Sequence, residues 1–131
     1  MAVVLGRRLL VAVPAGCPAE LAARITAHNA DVAAWQARFD RLGVTNKALL
    51  RAAQERSAPV ETITAGIAVL RAETEDVFKE FQFLLASETS LRQDTFAVVF
   101  NADGSLRADQ LKRAQEQLRK SGWPWRVAGR G

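Results

Sequence analysis

The chain closes on the string SGWPWRVAGRG, which places Trp123, Trp125, Arg126 and Arg130 within a few residues of one another. Tryptophan and arginine dominate the hot spots of protein interfaces. Arginine beside a stackable indole also suits single-stranded nucleic acid. Just upstream, Lys112, Arg113, Arg119 and Lys120 form a basic strip, interrupted by Asp109 and Glu116. Two binding chemistries therefore compete at this end: aromatic anchorage on a protein partner, and tracking of a phosphate backbone. Pro124 keeps the two tryptophans extended. Trp123 is read as a plug for the chain's own core, and Trp125 with Arg126 as the partner contact.

The other reactive residue types are scarce. There is one histidine, His28, and one cysteine, Cys17, so no intramolecular disulfide and no histidine-rich metal site can form. A thiol at a helix N-terminus is a conceivable nucleophile. His28 lies eleven residues further on, roughly 16 Å along a helix axis and out of reach as its base. The carboxylates of ETED (73–76) fall on a helical stretch, next to Lys79 at ion-pair spacing, and read as a solvated face. No phosphate-cradling glycine loop, nucleophile elbow or His-Glu-x-x-His pattern occurs. The expectation is no catalytic residue, no metal and no cofactor.

Net charge is +4 over 131 residues, but it is unevenly spread. Residues 1–58 carry eight Lys/Arg against four Asp/Glu, residues 59–100 three against seven, and residues 101–131 seven against three. A basic–acidic–basic order is what segments packing on one another with complementary charge would show. It weakens the case for nucleic acid that the total alone suggests. Near the start, Ala15-Gly16-Cys17 has the form of a lipoprotein cleavage site, but Pro14 stands where such sites usually carry leucine. The chain is read as cytoplasmic or as part of an assembled particle rather than an exported lipoprotein. No run approaches the roughly 18 apolar residues of a membrane span.

The elements that must position these residues are mostly helical. Leu21, Ile25, His28, Val32, Trp35, Phe39 and Leu42 recur at 4, 3, 4, 3, 4, 3, a heptad seam with one polar member. Pro18 suits the first turn of that helix and Gly43 its end. Thr45 caps a shorter helix to about Arg56. Val60, Ile63, Ile67, Leu70, Thr74, Val77, Phe81 and Leu84 form a second seam, expected to break near Ser87. TFAVVF (95–100) is β-branched and aromatic and reads as a strand, with AVVL (2–5) and LLVAV (9–13) as its natural partners. Ser105 caps a last, largely solvated helix to about Lys120.

A single domain is expected: a strand-like N-terminus (1–13), a helical hairpin or bundle (18–91), a strand (95–100), a basic helix (105–120) and the Trp/Arg tail (121–131). The fold class is mainly α, an elongated antiparallel helical hairpin or bundle of heptad-patterned helices with a small β element. The expected function is a non-enzymatic protein–protein interaction or assembly module. Such a chain would be a subunit of an oligomeric particle, or an adaptor or inhibitor that docks on a larger protein. The alternative is a nucleic-acid-associated helical protein using the basic C-terminal helix and tail.

Overall fold

The computed structural model describes residues 6–122. The four tail residues Trp123, Trp125, Arg126 and Arg130, and the proposed strand 2–5, lie outside them. Among the described residues there are four helices: α1 (Gly6–Leu9), α2 (Ala19–Glu55), α3 (Val60–Val99) and α4 (Ala108–Lys120). The 37 residues of α2 and 40 of α3 make rods of about 55 and 60 Å. They pack antiparallel as a hairpin. Pro18 and Pro59 occupy the N-cap positions with extended backbone, and their carbonyls accept the Ala22 and Ile63 N–H groups.

Several expected boundaries are overturned. Gly43 does not end a helix; α2 runs through it and through Thr45 without a break. A glycine inside a helix costs about 1 kcal/mol relative to alanine, and inter-helix packing on both sides offsets that. Leu42 packs on the core before it. After it, Leu49 lies so close to α3 that a methyl on Gly66 would come within 2.7 Å of Leu49 Cδ2. The real stop is Arg56, in the left-handed region at φ 54, whose N–H is bonded to Ala52 O. Nor does α3 break at Ser87. Its polar β-branched residues satisfy themselves: Thr74, Thr89 and Thr95 hydroxyls donate to the Leu70, Leu85 and Arg92 carbonyls.

The β element is absent among the described residues. Residues 95–99 continue α3, and only Phe100 turns extended, in an isolated bridge to Leu106. Residues 6–9 form a helical turn, and 10–13 have no regular secondary structure and no strand partner. Strand propensity is chiefly a preference for a half-buried pleated surface. The N-terminal segment, the only candidate neighbour, is held by side chains instead, so TFAVV keeps its intrahelical hydrogen bonds. Ser105 likewise does not cap α4, which starts at Ala108 with no side-chain cap.

Ser105 serves the turn before α4. Its hydroxyl donates to Asp103 Oδ1 at 2.6 Å and its N–H to the same oxygen at 2.9 Å. These bonds, the hydroxyl's first, hold the exposed Asp103 carboxyl below the ordinary aspartate range. A carboxyl whose folded pKa is depressed adds stability above its unfolded pKa and loses it as pH falls through the folded one. An NMR titration should therefore place Asp103 lowest among comparable exposed aspartates, and Ser105→Ala should return it towards the ordinary value. An unmoved midpoint in that variant would refute the turn's geometry.

The core sits at the open end and middle of the hairpin. Ile25, Val32 and Trp35 of α2 and Val77, Leu84 and Leu91 of α3 are almost wholly buried. Towards the α2–α3 loop burial thins, and Leu49, Ile63 and Leu70 are only half-buried. Arg24–Asp94 at 3.0 Å and Arg38–Glu80 at 2.8 Å cross between the helices. They join α2, with five Lys/Arg against four Asp/Glu, to the acidic α3, with three against seven. Being half-exposed, each adds at most about 1 kcal/mol, so they set register more than stability.

Candidate interaction surfaces

The most fully built constellation is the cradle that α2 and α3 form for residues 6–11. Leu9 and Val11 point inward at 2% and 3% exposure, while Leu10 and Val13 point out at 41% and 49%. The two buried side chains flank one exposed residue, where the helical turn Gly6–Leu9 runs into irregular chain. The segment's backbone is read by side chains of both helices. Gln36 Oε1 accepts the Gly6 N–H at 2.7 Å, and His28 Nε2 donates to the Leu9 carbonyl at 2.7 Å. Asn29 accepts the Val11 N–H at 3.0 Å and donates to its carbonyl at 2.9 Å. Arg92 Nη2 donates to the Leu10 carbonyl at 3.0 Å and to that of Arg8 at 3.3 Å. Asn29 thus does for Val11 what a neighbouring strand would do, offering one acceptor and one donor to the same residue.

His28 is 4% exposed. A carbonyl can only accept, so Nε2 donates to Leu9, and Nδ1 is hydrogen-bonded to the Ser87 hydroxyl, 2.9 Å away. Hydroxyl, imidazole and carbonyl stand in the order of a base-activated nucleophile. Ser87 lies inside α3, however, where the backbone N–H groups around it are spent on the helix. No donor pair is aimed at a developing oxyanion there. The network ties Leu9 to both helices at once. Cys17, which bonds towards the Pro18 carbonyl, takes no part in it.

A second surface lies along α3. Val60, Ile67, Phe78, Leu85 and Phe96 are 74, 46, 60, 39 and 50% exposed. Their spacings of 7, 11, 7 and 11 residues are whole numbers of helical turns, so they form one straight stripe of about 54 Å. The heptad period places Val60 and Ile67 in the inter-helix seam. In the structure they stand on this outer stripe, while Ile63, Leu70, Val77, Phe81 and Leu84 face α2 with half or full burial. On α2, Leu21, Ile25, His28, Val32 and Trp35 are buried, and Phe39 and Leu42 half-buried. Single exposed apolar residues are ordinary; a collinear row is not.

The third surface is α4. Lys112, Arg113, Arg119 and Lys120 are exposed, with Leu111 and Leu118 beside them at 46% and 43%. Gln110 is its one buried residue and donates to the Ala15 carbonyl. The helix is thus lightly attached, and Glu116 faces Arg119 at 3.9 Å. Among the described residues no cluster of three or more His, Cys, Asp or Glu could hold a metal ion. No described helix is long and apolar enough to cross a membrane.

The cradle's polar members Asn29, Gln36, Ser87 and Arg92 escape sequence reasoning. Each is an ordinary polar residue on a helix, and only their convergence on one backbone gives them a role. The apolar run LLVAV is the single signal that this segment needs a surface to pack on. Comparison with known proteins finds no matching family model, no matching curated protein and no matching solved structure.

Proposed function

We propose that this chain is a non-enzymatic assembly module, which works by laying the outer face of α3 against another helix of its own kind or of a larger protein. The observation that carries the reading is the collinear stripe Val60–Ile67–Phe78–Leu85–Phe96, left 39–74% exposed along about ten turns. Rows of apolar residues at whole-turn spacing are what helices bury against helices. Exposed patches of this extent mark interaction sites. The basic ends would steer the chain towards acidic surface. The alternative is nucleic-acid association, for which the exposed cations of α4 speak.

The two readings differ in salt dependence. Apolar association scales with buried area and hardly responds to salt, whereas phosphate binding falls steeply with it. Light scattering on the eluting protein at low and near-molar salt, with and without duplex DNA, separates them. We expect an assembly larger than the monomer that persists at high salt. Phe78→Glu should dissociate it while helicity stays unchanged, because Phe78 is already 60% exposed. A salt-stable monomer with no retention of DNA overturns self-association, and a steeply salt-dependent DNA complex favours the alternative.

A further inference from the structure

We infer that the α2–α3 cradle is an exchangeable peptide site, and that it takes residues 6–11 of a second copy of this chain in place of its own. The inference concerns a different face from the α3 stripe and does not rest on it. It starts from how the segment is recognised. All but two of the contacts that hold it are made to its backbone: Gly6 N–H by Gln36, Leu9 O by His28, Val11 N–H and O by Asn29, and the Arg8 and Leu10 carbonyls by Arg92. The apolar anchors are Leu9 and Val11 alone. Such a site recognises a short segment by its backbone, a helical turn running into irregular chain, with buried apolar residues two apart.

The occupant that meets those requirements by construction is the same segment of another copy. Exchange of an identical element preserves every contact, so only the hinge decides between one chain and two. The hinge here is Ala12–Pro18. In the closed form it reverses direction tightly: Cys17 N–H donates to the Pro14 carbonyl, and Gly16 takes φ +76. Two prolines bracket that turn. Each pushes its preceding residue, Val13 or Cys17, towards extended backbone, which favours the open hinge that an exchange needs. A short hinge is the condition under which swapping competes with closure. The anchorage of α4 through Ala15 lies on the same hinge, so exchange would release α4 as well.

The geometry supplies a direct test. A β-carbon on residue 6 stands 3.3 Å from Gln36 Cβ, close to the separation a disulfide needs. In a Cys17→Ser background, Gly6→Cys and Gln36→Cys are placed on separate full-length chains, mixed in equal amounts, unfolded, refolded together and oxidised with a glutathione redox buffer. Neither single variant can close the bond within itself or with its own kind across the cradle. A disulfide-linked heterodimer on a non-reducing gel is expected. Its share should rise with protein concentration during refolding, up to the half of swapped dimers that random pairing allows. The double variant on one chain should close the bond in cis at high dilution.

Closure of the double variant together with no heterodimer at any concentration overturns the exchange. Failure of the double variant to close at all overturns the cradle itself. Phe78→Glu added to both chains separates this inference from the proposed function, since it removes the α3 stripe and should leave the heterodimer band unchanged.

Discussion

Trp35→Ala is expected to lower the unfolding free energy by about 3–5 kcal/mol, the range for removing a buried tryptophan. For a chain of this size that is a fall in melting temperature on the order of 10–15 °C. Trp35 is 2% exposed and sits where the two halves of the hairpin meet. Its ring stacks on Phe39 at 5.3 Å between centroids and tilts against Phe81 at 5.1 Å. Its indole N–H donates to the Val77 carbonyl at 2.9 Å, crossing from α2 to α3. Alanine would remove the ring from both aromatic partners and leave a void that two long, stiff helices cannot collapse into. Trp35→Phe keeps a ring and loses only the donor. The Val77 carbonyl retains its partner within α3, so this change should cost about 1 kcal/mol. Calorimetry of both variants checks the argument. Equal losses would mean that the hydrogen bond, rather than the packed ring, carries the residue's contribution.

That Leu21, Ile25, His28, Val32 and Trp35 share one buried helix face was legible in the sequence, because a heptad of apolar residues shows a buried helix face whatever lies opposite. The same period misplaced Val60 and Ile67. The row Ile63, Leu70, Val77, Leu84 and Leu91 stays half or fully buried along the whole of α3, whereas in the row Val60, Ile67, Thr74 and Phe81 only Phe81 leaves solvent. Near the α2–α3 loop the interface narrows to one row, and the heptad period cannot show where it narrows. The helix boundaries failed for a related reason. Gly43, Ser87 and TFAVV each oppose helix locally by at most about 1 kcal/mol per residue, and a long rod packed along one side outweighs such terms. The missing strands are a different case. LLVAV buries Leu9 and Val11 and leaves Leu10, Ala12 and Val13 exposed, and an apolar run shows that a segment packs but not what packs against it. The pairing falls to Asn29, on a helix eighteen residues away. Nothing in a lone asparagine between His28 and Ala30 announces it.

The contrast between Leu9 and Leu10 gives the second large effect. Leu9→Asp would put a carboxylate among Val32, Trp35, Val77 and Leu84, where it has no partner. Burying an unpaired charge there costs more than releasing the segment, so the segment should leave the cradle as a unit. The loss is then the docking energy of residues 6–11. Burial of Leu9 and Val11 contributes about 1.5–3 kcal/mol each, and the backbone hydrogen bonds add to this. The freed residues regain part of it as chain entropy. A net destabilisation of about 3–5 kcal/mol follows. Leu10→Asp changes a side chain that already meets solvent, and should stay within about 0.5 kcal/mol of the parent. Because α2 and α3 keep their own contacts, the Leu9 variant should retain nearly all its helical circular dichroism. Hydrogen-exchange protection should vanish at the Val11 N–H, and a protease should gain access to residues 10–16. If both aspartate variants behave alike, the segment is not docked through alternate residues. If the Leu9 variant loses its helicity as well, the hairpin cannot stand without the segment, and the segment is then a core element of the fold.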